Sequence, residues 1–243
     1  MPSKPTPVYR HIYERLHQQL RSGALLPGQR LPSERQLALE LQVSRMTARA
    51  AVDLLVQRGL VERREREGVY AARPKIDQVL SSTAGLSQQL LLRGLVPGAQ
   101  VLTAVECRAG ELPAEVAGAL ELGAVEAVFK LVRLRTGDGE PLALEESYFP
   151  ARRCAGLLGT DLSASVYDWL AAHCGLQVGR SRQELEPSQL DAEAARLLST
   201  RPDSPVLRVI RTAWSRGGVP FEYARDLYRA DRIRFTVETG DLT

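Results

Sequence analysis

Two adjoining runs, Leu31-Pro32-Ser33-Glu34-Arg35-Gln36-Leu37-Ala38 and Val43-Ser44-Arg45-Met46-Thr47-Ala48-Arg49, constrain this chain more than any other feature. Ser33 and Ser44 each stand where a helix needs an N-cap, and Glu34 follows in a first turn that favours negative charge. The spacing predicts a short capped helix with Leu37, Ala38 and Leu41 buried, a tight turn, and a second helix. That helix buries Ala48, Ala51, Val52 and Leu55 until Gly59 ends it. Arg45 and Arg49 lie one turn apart, so both project from its other face. Upstream, Val8, Ile12, Leu16 and Leu20 recur every fourth residue, beside Tyr9 and Tyr13, and predict a helix over 7–22. Downstream, Leu60–Arg64 and Val69–Ala72 are β-prone runs around a charged tip containing Gly68, a predicted hairpin.

Charge follows the same division. Residues 1–75 hold 14 lysines and arginines against 7 acids, and the remainder 18 against 22, so a +7 head precedes a −4 body in a chain of net charge +3. Nearly all the cations are arginine, whose fork suits phosphate and guanine. A basic, arginine-bearing helix after a tight turn is the arrangement that helix-turn-helix modules lay in the major groove, so double-stranded DNA is the expected partner.

Together these residues resemble the winged helix-turn-helix of the GntR family of bacterial transcription regulators. The likeness rests on Pro7-Val8-Tyr9, Pro27-Gly28, the two runs above, Leu54, Gly59-Leu60 and Gly68. It implies that Arg35, Arg45 and Arg49 contact DNA, the last two nearest the base edges. Ser44 and Thr47, like Ser33, would serve as phosphate contacts or as caps. The tip departs from the family's Gly-x-Gly-Thr: here it reads Arg66-Glu67-Gly68-Val69. Arg66, with Gly68, either enters a narrow minor groove or is held off by Glu65 and Glu67.

Pro74, Ser81, Ser82, Thr83 and Gly85 mark 74–85 as a linker between a head at 1–73 and a body at 86–243. The body alternates strand-like runs (100–108, 125–136, 142–149, 206–215, 221–228) with helix-like ones (113–120, 166–172, 192–198), and Gly137-Asp138-Gly139 and Gly217-Gly218 supply tight turns. That is an α+β chain with an antiparallel sheet in its second part. Its order resembles the UTRA effector-binding domain, of chorismate-lyase-like fold, which marks the HutC branch of the family. The motifs are Pro141–Tyr148, Ser165-Val166-Tyr167, Gln183–Pro187, Phe221-Glu222-Tyr223 and Tyr228–Arg232. The match is closest to regulators of N-acetylglucosamine metabolism. It implies a repressor released by a phosphorylated amino sugar such as N-acetylglucosamine 6-phosphate or glucosamine 6-phosphate; other HutC-like regulators respond to histidine-pathway intermediates, acyl compounds or different sugars.

Residue by residue, the resemblance implies that Arg133, Ser165 and Arg180, with Ser87, hold the phosphate, while Glu145, Tyr167, Glu222 and Tyr228 face the sugar. The residues themselves support an anion site: Arg133 and Arg135 share one face of a strand, and two convergent guanidiniums can clasp one phosphate. Ser165 precedes a helix whose terminal amides favour anions. The alternative is that Arg133 and Arg135 pair with Glu145 or Glu222 in a surface network.

Cys107, Cys154 and Cys174 are odd in number and lack metal-ligand spacing, and the three histidines are scattered. Reduced thiols, no metal or cofactor, and a cytoplasmic homodimer reading an inverted-repeat operator are expected. No apolar run suits a membrane span. No GxSxG, Walker, HExxH or Rossmann pattern is present, which speaks against an enzyme, the rival suggested by the lyase-like fold. A DNA-binding architectural protein with a mere dimerisation module is the other rival.

Overall fold

The computed structural model describes residues 7–64, 67–73, 75–80, 84–237 and 239. Contacts divide the chain into two compact units between residues 74 and 75.

In the head, α1 (Val8–Arg21), α2 (Glu34–Glu40) and α3 (Arg45–Gln57) precede a hairpin of β1 (Val61–Arg64) and β2 (Gly68–Ala71). The fourfold spacing holds from Ile12 on: Ile12, Tyr13 and Leu16 of α1 pack with Leu37 of α2 and with Ala48, Ala51, Val52 and Leu55 of α3. Leu20 is half-buried beside them, whereas Val8, on the first turn, is exposed. Ala48 and Ala51 are fully buried; these small side chains let α1 and α2 come close to α3. Leu55, also fully buried, contributes about 1.5–3 kcal/mol by its removal from water. Ser33 caps α2 by accepting from the Gln36 amide, while the Ser33 amide donates back to the Gln36 side chain. An isolated bridge between Arg30 and Tyr70 ties residues 28–31 to the hairpin: the Leu31 amide donates to the Val69 carbonyl and the Ala71 amide to that of Gln29, each at 2.8 Å.

The body is built on a six-stranded antiparallel sheet of β4 (Pro97–Arg108), β5 (Ala127–Gly137), β6 (Glu140–Pro150), β9 (Pro220–Arg229), β8 (Pro205–Ser215) and β7 (Val178–Gln189), in that spatial order. The β5–β6 turn puts Asp138 and Gly139 at positive φ, as the Gly-Asp-Gly run predicts. One sheet face is covered by α5 (Ala114–Leu120), which buries Val116 and Leu120 on Val128, Tyr148 and Tyr223. The same face meets α7 (Ala192–Leu197) through Leu134 and Val206. The opposite face meets α6 (Val166–Cys174) and α4 (Leu86–Leu91).

Three elements differ from expectation. Within the stretch expected to be a linker, Ile76–Val79 form β3, paired in parallel with β10 (Ile233–Thr236); Ile76 and Ile233 are buried in the α4 cluster. The linker cues Pro74, Ser81, Ser82 and Thr83 lie outside the described residues. Leu86–Leu91 fold as α4, and Val178–Gln189, from which no strand was expected, are the edge strand β7.

Candidate functional site

The head presents its arginines outward. Ser44 caps α3 by accepting from the Thr47 amide at 3.1 Å, and its hydroxyl lies 2.8 Å from that of Thr47. This cap places Arg45 on the first turn of α3, with Arg49 directly behind it. Their side chains are 75% and 59% exposed, while the Ala48 between them is buried. Arg35 is exposed on α2. Gly68 holds φ +119°, and a Cβ there would stand 3.0 Å from Nε of Arg30, so glycine keeps the base of the tip open for that guanidinium. Arg66 lies outside the described residues.

The body encloses a cavity of about 70 Å³. Its floor is the centre of the sheet, and its wall runs through β3, α4 and the start of α6. Of the residues expected there, Ser87, Arg133, Arg135, Glu145, Ser165, Tyr167, Glu222 and Tyr228 line it. Arg180 does not. Alternation along β7 sends Ser181 and Gln183 to the cavity and Arg180 to the other face, where its guanidinium stacks 4.1 Å from the Trp214 ring.

Arg133 and Arg135 converge as period two dictates, but on a carboxylate. Arg133 Nη2 donates to Glu145 Oε2 at 2.9 Å, and Arg135 Nη1 donates to both Glu145 oxygens at 3.0 and 2.8 Å. The pairing with Glu145 is the one the alternative reading named, but it is buried and not at the surface: all three side chains are less than a tenth exposed. Arg133 Nη1 also donates to the carbonyls of Leu162 and Ala164, and Arg135 Nη2 to Ser87 Oγ at 2.7 Å. Burial by itself would raise the Glu145 carboxyl, but Arg135 and Arg133 outweigh it and hold it at about 2.

A second cluster was not read from the sequence. Arg211 on β8 donates to Glu222 at 3.1 and 3.3 Å and lies 3.1 Å from Asp226 Oδ2, at an angle that makes no hydrogen bond. The register explains the grouping: Ala224 is opposite Arg211, so Glu222 and Asp226 are its diagonal neighbours on β9. Glu222 also accepts from the Tyr167 and Ser147 hydroxyls. Burial, opposed by Arg211, pushes the Asp226 carboxyl up to about 7, and burial raises the Tyr167 and Tyr228 phenols. The signal for Arg211 was available: it alternates with the core residues Val209 and Ala213 on one strand face.

Family comparison decides what this pairing of head and cavity is. The model of the bacterial regulatory proteins of the gntR family matches residues 8–71, and that of the UTRA domain matches 92–234. The chain belongs to the GntR family. The HTH-type transcriptional repressor NagR of Bacillus subtilis is 33% identical over 231 residues, covering 95% of this chain and 94% of its own. The HTH-type transcriptional repressor PhnF of Mycolicibacterium smegmatis is 34% identical over 227 residues, with 90% and 91% covered. The crystal structure of PhnF from Mycobacterium smegmatis superposes with a TM-score of 0.68 at 30% identity, covering 95% of this chain and 99% of that one. This GntR protein is therefore a transcriptional repressor of the HutC type, with a DNA-binding head and an effector-binding body, and not an enzyme. Among the described residues, no helix is long and apolar enough to cross a membrane.

Proposed function

We propose that this repressor is released from an inverted-repeat operator by a small phosphorylated sugar, of the glucosamine 6-phosphate or N-acetylglucosamine 6-phosphate type, bound in the body cavity of each subunit of a homodimer. The observation that carries the reading is the convergence of the Arg133 and Arg135 guanidiniums, around Glu145, in a cavity that Ser87, Ser165, Tyr167, Gln183 and Glu222 also line. The guanidiniums receive a phosphate that competes with Glu145 for them, and the carboxylate and hydroxyl groups of the lining receive sugar hydroxyls. The resemblance to regulators of N-acetylglucosamine metabolism, and the likeness to NagR, support it.

Release follows if the ligand prefers the conformer whose two heads fit the operator poorly. Gln78, Ser87 and Gln89 in the cavity wall belong to the segment that follows the head in the chain. A ligand that reorders this wall acts on the covalent attachment of the head.

A second reading has its own support. Glu145 already occupies both arginines, and Arg211 is matched by Glu222 and Asp226, so the cavity is close to charge balance. A metabolite of the amino-acid type, zwitterionic but without a phosphate, fits that balance without displacing Glu145. Thermal-shift titration with glucosamine 6-phosphate, N-acetylglucosamine 6-phosphate, the unphosphorylated sugars and histidine-pathway intermediates separates the two. Stabilisation by the phosphorylated sugars alone, lost in R133A, is the expected result. Stabilisation by a histidine-pathway intermediate alone overturns the sugar-phosphate assignment.

A further inference from the structure

The recognition face carries two acids, which a surface built only to attract a polyanion would exclude. Glu34 opens α2, and Asp53 lies on α3 four residues after Arg49. Both are tied to one residue of the hairpin. Arg63 Nη1 and Nη2 donate to Glu34 Oε1 at 3.1 Å, and Nη2 donates to Asp53 Oδ1 at 2.6 Å. The second oxygen of each acid faces a recognition arginine: Glu34 Oε2 is 3.8 Å from Arg45 Nε, and Asp53 Oδ2 is 3.8 Å from Arg49 Nε. The result is a chain of alternating charge, Arg45–Glu34–Arg63–Asp53–Arg49, spanning both helices and the hairpin.

We infer that Glu34 and Asp53, fixed by Arg63, are positioning residues that hold Arg45 and Arg49 in the orientations from which they read base edges; the inference rests on the DNA-reading assignment of the head. Three points carry it. The contacts fall on Nε, which leaves the paired terminal nitrogens of each guanidinium free for a bidentate approach to guanine O6 and N7. At 3.8 Å the attraction steers without locking, so the side chains settle on DNA at little cost. The acids are themselves held: Glu34 is only 15% exposed, and the hydrogen bond from Arg63 to Asp53, against a small burial cost, raises the Arg63 pKa. Pre-orienting an arginine spares the ordering cost of a long side chain at the interface.

The test uses the full-length protein with a duplex enriched by it from a random-sequence pool, and a scrambled duplex of the same composition. E34Q and D53N remove a negative charge without changing shape, so simple electrostatics predicts tighter binding to any DNA. Positioning predicts the opposite for the enriched sequence. Discrimination between the two duplexes is expected to fall roughly 5- to 10-fold, while affinity for the scrambled duplex holds or rises about 2-fold. Equal tightening on both duplexes shows that the acids only repel and overturns the inference. Equal weakening on both assigns them to holding the hairpin in place and also overturns it. If the wild-type protein enriches no sequence at all, the DNA-reading assignment itself fails. Should E34Q lose helical circular dichroism, D53N, at the more exposed carboxylate, decides alone.

Discussion

Replacing Glu145 by glutamine removes the carboxylate on which two buried guanidiniums depend, with little change of shape. In the folded body Glu145 titrates at about 2, against an ordinary 4.5, which by linkage corresponds to about 3 kcal/mol of stability at neutral pH. The range of about 3–5 kcal/mol for breaking one partner out of a buried ion pair agrees. In E145Q the glutamine oxygen still accepts one hydrogen bond, so a loss near about 3 kcal/mol is expected, or about 6–12 °C in Tm for a unit of this size. The sign with pH is fixed: a depressed carboxyl stabilises above its unfolded value, and that stability drains away as pH falls from about 4.5 towards 2. E145Q lacks this acid-labile component, so the two proteins converge at low pH. Both tryptophans, Trp169 and Trp214, belong to the body, so tryptophan fluorescence in urea follows its unfolding separately from that of the head. A loss below about 1 kcal/mol at neutral pH, the value of a solvent-exposed pair, would refute the account of Glu145 as the charge that holds Arg133 and Arg135.

Asp226 works in the reverse sense. Its carboxyl is raised to about 7, so its contribution is present below the ordinary 3.8 and is lost as pH climbs through 7. D226N is expected to flatten the stability profile between about pH 4 and pH 8, measured by the same fluorescence; an unchanged slope would contradict it. On the head, R45A and R49A should each weaken binding to the enriched duplex by about 1–3 kcal/mol relative to its scramble, read by gel shift with the fold checked by circular dichroism. Wild-type affinity should fall linearly on a logarithmic salt scale, and a flat profile would argue against a phosphate-tracking face.

The head was almost fully legible because its signals are local. Caps at Ser33 and Ser44, fourfold apolar spacing and the Gly59 stop act within a few residues, and all are realised in the structure except at Val8, which is exposed. The body was legible where strands alternate and turns contain glycine, as at β5, β6, β8 and β9. It was obscure where tertiary pairing decides. Val178–Gln189 puts Arg180, Arg182, Glu184 and Glu186 on one face, but the other face offers Ser181, Gln183 and Pro187 beside Leu185, so no apolar alternation marks this edge strand. Ile76–Val79 is four residues long and becomes a strand by meeting a segment some 150 residues later. In the cavity, strand parity put Arg133 and Arg135 on one face, as the structure has them, whereas Arg180 rested on the family resemblance alone and parity along β7 turns it to the other face. The acid between the two arginines could be named, but whether it lies in water or in the core depends on what covers it, here α4 and α6. The Arg45–Glu34–Arg63–Asp53–Arg49 chain lay beyond reach, since it is assembled from three separate elements.

The parallel pairing of β3 with β10 stitches the first described strand of the body to its last. Phe235, on that final strand, lines the cavity beside Gln78 and meets the Tyr228 ring edge-on at 5.1 Å. The β10 strand thus serves as a hasp on the cavity. Clipping the chain before Ile233 would unfasten the stretch that leads away from the DNA-binding head and, if the cavity is the effector site proposed above, would leave a protein that grips its operator and no longer lets go on signal.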